Sequence, residues 1–421
     1  MSFEIGLQAN ELTIRAEAFF TEEILPRHRE WVRTVCREGK PAPFLEDLRE
    51  KARALDLWNL GVPNLGDTDP GTRLSNLEFA PIAELVGHLP WASEVFNCHA
   101  PDTPNMIMLQ SQATPAQKDQ WLRPLLLGDA RSCFAMTEPA VASSDATNIA
   151  TRIEFQGDDV IINGHKWFVT GGAHPDCSFM IVMGVSDADA GRTARHSMVI
   201  VPMDTPGVRV TRSLRYLGWE DHAAPIAEIV LENVRVPAEN LLGARGGGFA
   251  GAQVRLGPAR IHHCMRCIGL AEMALSLMIA RATERTAFGR DIIDYDTIQT
   301  WIAEARIDID QTRLFIQRAA WLLDMGEDRN TWRAVSQIKV ATPRMLQKIT
   351  DRALQVFGAM GGTDDTLLHH ASTYARWLRI GDGPDEVHLR QVFRSEKRPE
   401  WRIADSPYIT PGQISLNGTG S

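Results

Sequence analysis

The chain has 421 residues, enough for two or three domains at roughly 100 to 200 residues each. Hydrophobic residues make up 44% and charged residues 23%, ordinary globular values that argue against a mostly disordered or fibrous chain. Lys plus Arg number 44 against 53 for Asp plus Glu, a net charge of -9, which disfavours nucleic acid as a partner. No run of about 18 consecutive apolar residues occurs, so no membrane-spanning helix is expected. The start, Met1-Ser2-Phe3-Glu4-Ile5, lacks a basic region followed by an apolar run, and six cysteines make no disulfide framework, so a cytoplasmic location is the simplest expectation.

The first stretch, residues 1–131, reads as a helical domain, with helices over Asn10 to Val35 and Pro43 to Leu57. Thr114-Pro115-Ala116-Gln117 is a helix start in which Thr114 caps, Gln117 reaches back and Pro115 takes the first helical position; Gly128 stops that helix. From Ser132 to Val236 the apolar period changes to two, in runs such as 151–155, 160–162, 179–183 and 198–201, with Gln156-Gly157-Asp158 and Asn163-Gly164 as turns between them. Residues 132–243 are therefore expected to form a small β-barrel-like domain. Gly246-Gly247-Gly248 reads as a hinge. The helical period then returns near 249–284, 294–325 and 331–357, so residues 244–400 are expected to form a four-helix bundle with faces left for a homo-oligomer, a dimer or a dimer of dimers. Residues 401–421 have no period and read as an extended tail. The fold class is α+β.

Common catalytic signatures are absent: no G-x-S-x-G elbow, no phosphate loop ending in G-K-[ST], no H-E-x-x-H helix. His262-His263-Cys264-Met265-Arg266-Cys267 has good metal-ligand types, but it lies inside a helical pattern without a second pair at ligand spacing, so these residues read as helix core and no metal site is assigned. His369-His370 read as a solvated helix face or an interface contact.

Three segments carry more together than apart. The first is Cys133-Phe134-Ala135-Met136-Thr137-Glu138-Pro139 with Ser143-Ser144-Asp145, followed by Asn163 to Gly172; the second is Arg285 to Arg290; the third is Gln355 to Gly362 with Arg379 to Glu386. In this order and spacing the set resembles the acyl-CoA dehydrogenase family of flavoenzymes over roughly residues 40 to 395. The Pro384-Asp385-Glu386-Val387-His388 ending and Ser143-Ser144-Asp145 look most like the branch holding the dehydrogenase domains of acyl-CoA dehydrogenases ten and eleven.

The resemblance implies FAD as cofactor, acyl-CoA as substrate and an electron-transfer flavoprotein as acceptor. By position, Phe134, Met136 and Thr137 match the family's strand along the flavin ring, Ser144 its pyrophosphate serine, which also serves the substrate, and Phe168 with Thr170 the pair beside the ring. Arg285, Phe288, Gln355 and Ala359 match contacts from the neighbouring subunit, where a negative φ is required at Ala359 because the family has Gly there. Glu386 matches a residue facing the adenosine. The family's base, a Glu in a Tyr-Glu-Gly-Thr loop, falls on Asp382 in Gly381-Asp382-Gly383-Pro384.

Asp382 is thus the expected catalytic base, with its backbone N–H and Gly383 on the substrate side and Arg260 holding the loop. Burial beside acyl chain and flavin is expected to raise its pKa. Gly381, where the family has Tyr, is expected to leave room for a substituent on the acyl chain. The competing role for Asp382 is a cap on the helix that starts at Pro384. Two other functions stand beside the dehydrogenase: a nitroalkane-oxidase-like flavin oxidase that also uses Asp, and a flavin-binding scaffold without catalysis.

Overall fold

The computed structural model describes residues 5–326, 328–397 and 407–408; the expected tail falls outside these apart from Pro407 and Tyr408. Helices α1 (Leu7–Phe19), α2 (Leu45–Ala54), α3 (Asn76–Val86) and α4 (Asp102–Gln112) form the first part. The helix expected over Asn10 to Val35 does not run straight. After Phe19 it passes through π, 3-10 and α turns up to Arg37, and the 3-10 turn holds Pro26, whose missing N–H interrupts the α ladder. The start at Thr114 forms as the sequence reads: Thr114 and Gln117 exchange side-chain-to-backbone bonds, and Gly128 ends the helix at φ +80°.

Eight strands follow: β1 (Arg131–Ala135), β2 (Arg152–Gln156), β3 (Asp159–Val169), β4 (Cys177–Val185), β5 (His196–Pro202), β6 (Val208–Leu214), β7 (Ile226–Pro237) and β8 (Leu241–Leu242). They make one mixed sheet in the order β6-β7-β3-β2-β4-β5-β8, with β1 parallel to β4. This corrects the barrel-like expectation, because β6 and β8 end the path and no pairing among the described residues joins them. The period of two sorts the side chains. Phe179, Ile181 and Met183 face a core shared with Met106 and Leu109 of α4, while Met180 and Val182 face the opposite cluster with Val160 and Ile229. Asn163-Gly164 is a bulge within β3 instead of a turn, where Thr151 packs too close for a side chain at 164. The three glycines at 246–248 are a packed junction against β5, since a Cβ at Gly248 would stand 2.8 Å from the His196 carbonyl; they are not a free hinge.

The C-terminal helices are α5 (Gly248–Glu284), α6 (Asp296–Met325), α7 (Arg329–Phe357), α8 (Leu368–Leu378) and α9 (Asp385–Glu396). Three long helices and two short ones thus stand where four were expected. A hairpin, β9 (Thr286–Ala287) with β10 (Arg290–Asp291), joins α5 to α6. By length and composition α5 is long and apolar enough to cross a membrane, which a search for unbroken apolar runs missed because charged residues such as Arg266 interrupt it; 61% of its apolar window is buried inside the protein. It packs on α3, α6 and α7, and its register against α3 is set by a close crossing: a Cβ on Gly269 would lie 2.0 Å from the Glu84 carbonyl. That crossing fixes where the polar residues of α5 point.

Candidate active site

Asp382 sits on the loop between α8 and α9 at φ +54°, in the left-handed region. A non-glycine residue there costs about 1–3 kcal/mol and persists only where the surroundings impose it. Here they do. Arg260 Nε donates to the Asp382 carbonyl at 3.0 Å and His388 Nε2 bonds the same oxygen at 3.2 Å. Lys339 Nζ donates to the carbonyls of Leu378 and Gly381 at 2.6 and 2.7 Å. On the far side of the loop Asp385 is clamped by Arg379 at 2.9 Å and Arg344 at 3.2 Å. Gly383 is required twice, by φ +102° and because a Cβ would meet His388 Nε2 at 2.8 Å.

The capping alternative for Asp382 fails. The N-cap of α9 is Pro384, without a side-chain cap bond. The Asp382 carboxylate instead turns inward, with Oδ2 3.5 Å from His263 Nε2 and its side chain still 19% accessible. Burial acts to raise its pKa, but His263, Lys339, Arg255 and Arg260 outweigh it and the carboxyl lies below its ordinary value. This reverses the expected upward shift: two arginines and a lysine, drawn from α5 and α7, surround the group that was expected to meet only apolar neighbours. His263 is the strongest of the four, and burial pushes its own pKa down to about 3.

A cavity opens beside this loop. Its wall includes Thr170 beyond β3, Tyr216 and Trp219, and then His263, Tyr374 and Trp377 from α5 and α8. Arg255 bonds Asn105 at 2.8 Å and lays its guanidinium 4.6 Å over the Phe134 ring, so the sheet side and the Asp382 side share one wall. Met136 and Thr137 continue from β1 and are tied to β3: Trp167 N–H donates to the Thr137 carbonyl at 3.0 Å and Lys166 Nζ to that of Met136 at 3.0 Å. Phe168, on β3, is 44% exposed at φ +50° and meets Trp167 edge to face. Ser144 is exposed on the turn that follows, and Glu386 is exposed in the first turn of α9.

The remaining predicted residues are elsewhere. Arg285 follows the end of α5, and the helix from Arg260 to Glu284 spans roughly 35 Å at 1.5 Å per residue. Phe288 is fully exposed at the hairpin tip at φ +51°, and Gln355 and Ala359 are exposed where α7 ends. The Arg281 guanidinium, 5.6 Å over the Phe357 ring, brings the end of α5, which precedes Arg285 and Phe288, against the end of α7, where Gln355 and Ala359 stand. Ala359 is absent from the positive-φ residues, as its predicted role requires. The predicted residues therefore fall into two groups, a first candidate half-site around Arg255 to His263 of α5 and a second where α5 and α7 end. Three of the eight described non-glycine residues with positive φ, namely Asp382, Phe168 and Phe288, are predicted site residues, so backbone strain gathers where the motifs point.

Five residues of the first half-site were not assigned from sequence. Arg255 and His263 flank Arg260 on one side of α5, and His263 was read as helix core. Lys339, between buried Ile338 and Val340, is the one lysine in an apolar stretch of α7. Tyr374 and Trp377 continue a stripe from His370 at helical spacing, a signal that was available. His370, expected on a solvated face or at an interface, is 4% exposed and packs its ring 4.5 Å from Trp219. Gly381 also needs correction: the space expected beside it is occupied, because a Cβ there would stand 2.8 Å from Trp377 Cζ2.

A helical domain, a mixed sheet and a helical bundle thus meet beside a cavity and an inward carboxylate. The chain belongs to the acyl-CoA dehydrogenase family: residues 133–234 match its middle domain and residues 246–396 its C-terminal domain. It is 46% identical over 402 residues to the protein described as probable acyl-CoA dehydrogenase FadE2 of Mycobacterium tuberculosis, covering 94% of this chain and 97% of that one. It is 44% identical over 393 residues to acyl-CoA dehydrogenase family member 10 of Mus musculus, covering 92% of this chain but 37% of the longer mouse protein. Among solved structures, a Mycobacterium abscessus protein provisionally assigned as an acyl-CoA dehydrogenase superposes with a TM-score of 0.88 at 46% identity, covering 93% of this chain and 98% of that chain.

The first half-site suits the family's FAD. It offers uncovered aromatic and thioether surface at Phe168 and Met136, hydroxyls at Thr137, Thr170 and Ser144, and a backbone bent to expose the Phe168 ring, which is the mixture of apolar wall and hydrogen-bonding edge that a flavin needs.

Proposed function

We propose that the protein oxidises the Cα–Cβ bond of an acyl-CoA thioester to the trans-2-enoyl-CoA, with Asp382 removing the α-proton. FAD, when bound, supplies the acceptor for the β-hydride and passes the electrons on to an electron-transfer flavoprotein. The observation that carries this reading is the Asp382 loop: a carboxylate in strained backbone, held at three carbonyls by buried cationic and imidazole donors, 3.5 Å from His263, which lines a cavity together with Thr170.

Asp382 is ionised before substrate arrives, so the loop has no proton to lose before it acts. A carboxylate held below its ordinary pKa is a weak base, and the α-proton must therefore be acidified by donors to the thioester carbonyl. The Asp382 backbone N–H is the donor we assign, with its peptide fixed from the other side by Arg260. Phe134, Met136, Thr137, Phe168 and Thr170 take the flavin ring and Ser144 its pyrophosphate. Glu386 lies toward the adenosine. Arg285 and Phe288, beyond the end of α5, and Gln355 and Ala359, where α7 ends, serve the site of a second subunit. That arrangement makes the active form a homo-oligomer, and exposed Ile307, Leu314 and Phe393 on the bundle supply apolar surface for it.

The test is anaerobic addition of an acyl-CoA panel to the yellow protein. Bleaching of the flavin band by one chain class is expected, together with loss of bleaching by at least about a thousandfold in Asp382→Asn while the flavin stays bound. Turnover with oxygen and peroxide formation would favour the oxidase, and an Asp382→Asn variant that bleaches like the parent would remove Asp382 from the chemistry.

A further inference from the structure

Resting on that reading of Asp382, we propose that His263 is the positioning residue of the base: a neutral imidazole whose tautomer Tyr374 fixes and whose Nε2–H aims the Asp382 carboxylate into the cavity. His263 Nδ1 and the Tyr374 hydroxyl are 2.6 Å apart, and His263 Nε2 lies 3.5 Å from Asp382 Oδ2. Both sides of the ring thus meet a polar partner in a segment that is otherwise core.

The protons follow from what each group can do. Burial holds the Tyr374 phenol well above 10, so it keeps its hydrogen, and burial pushes His263 down to about 3, so the ring carries one proton. A carboxylate only accepts, which puts that proton on Nε2 facing Asp382; Nδ1 then accepts from the Tyr374 O–H. The 3.5 Å separation is longer than a formed bond, and a small rotation of the Asp382 side chain closes it, as catalytic contacts do when substrate fills a site. His263 is itself held by Trp377, edge to face at 5.4 Å, which packs on Gly381 next to the base. The other groups around Asp382 are Arg255 and Arg260 on α5, Lys339 on α7 and His388 on α9. The arginines and Lys339 act as charges on the loop and its carbonyls. His263 is the side chain within 4 Å of the carboxylate oxygen among the ion-pair contacts of the described residues.

A hydrogen bond to the ionised form favours it, so removing the donor must raise the pH at which Asp382 takes up a proton. The experiment is an infrared pH titration of the protein as purified, reading the protonated-carboxyl band that Asp382→Asn abolishes. In His263→Leu the midpoint of that band is expected to rise by about one pH unit, and His263→Gln, whose amide N–H₂ reaches the same place, is expected to restore most of the shift. Tyr374→Phe frees the ring to turn its bare nitrogen toward Asp382 and is expected to raise the midpoint by a smaller amount. A parent-like midpoint in His263→Leu overturns the proposal. Should His263→Leu not fold, Tyr374→Phe decides it alone, since it deletes a single oxygen, and an unmoved midpoint there is equally fatal. The titration needs no substrate: a protein that no acyl-CoA bleaches yet shows these shifts would refute the proposed reaction and leave the role of His263 standing.

Discussion

Gly381→Ala is the sharpest geometric test of how the base loop is packed. The added Cβ would stand 2.8 Å from Trp377 Cζ2, 3.0 Å from Cε2 and 3.2 Å from Cη2, closer than side-chain carbons approach. Trp377 cannot simply swing away, because its ring meets His263 at 5.4 Å and Tyr374 at 5.5 Å. Overpacking of this kind costs about 1–3 kcal/mol. The φ of Gly381 is not positive, so the cost is one of space and not of backbone strain. Trp377→Phe removes indole atoms on the side that collides, and Gly381→Ala should then be nearly neutral. The expected coupling in the double-mutant cycle is therefore about 1–3 kcal/mol, read from urea midpoints at fixed protein concentration. A Gly381→Ala cost that persists unchanged in the Trp377→Phe background would show that the collision is not with Trp377. The same cycle bears on substrate scope, since a shifted Trp377 changes both the cavity wall and the ring that supports His263.

How much of this was visible beforehand depends on the range over which the signal acts. The capping box at Thr114 and the alternation 179–183 are local and formed as read. The order of elements and the long helices of the bundle followed from periodicity, and the family motifs put Asp382 and Gly383 on one loop with Arg260 holding it. What sequence could not supply was the partner of each residue across space. Asn163-Gly164 has the composition of a turn, yet pairing of β3 with β7 runs through it and Thr151 accounts for the glycine. Gly381 suggested a vacancy because its filler, Trp377, arrives from the preceding helix. The upward pKa shift expected for Asp382 counted burial alone, and the groups that reverse it, His263, Lys339, Arg255 and Arg260, lie 43 to 127 residues before it in the chain. The segment from His262 to Cys267 was read as core, which holds for His262, stacked edge to face on Phe79, and for the cysteines. His263, one residue along, faces the other way.

Two further perturbations separate the forces at the site. Lys339→Met removes the donor to the Leu378 and Gly381 carbonyls and a cation near Asp382; loss of one member of a buried charged set costs about 3–5 kcal/mol, and a urea midpoint within 1 kcal/mol of the parent would show that Lys339 does not hold the loop. The second is pH. Burial pushes His262, His263 and His370 down to about 3 and, as the largest cause, His28, His174 and His388 down to about 4. An unfolded histidine titrates near 6.5, so between about 4 and 6.5 the unfolded chain binds protons that the native state refuses, and stability is lost as pH falls through that window. Asp221 works the other way, because burial raises it to about 6 and the native state holds a proton that the unfolded chain releases. The six histidines outnumber the one aspartic acid, so unfolding takes up protons on balance and stability declines as pH falls from 6.5. Urea midpoints measured from pH 7 to 5 check this, and a midpoint that stays flat over that range would mean that the native state takes up as many protons as the unfolded chain.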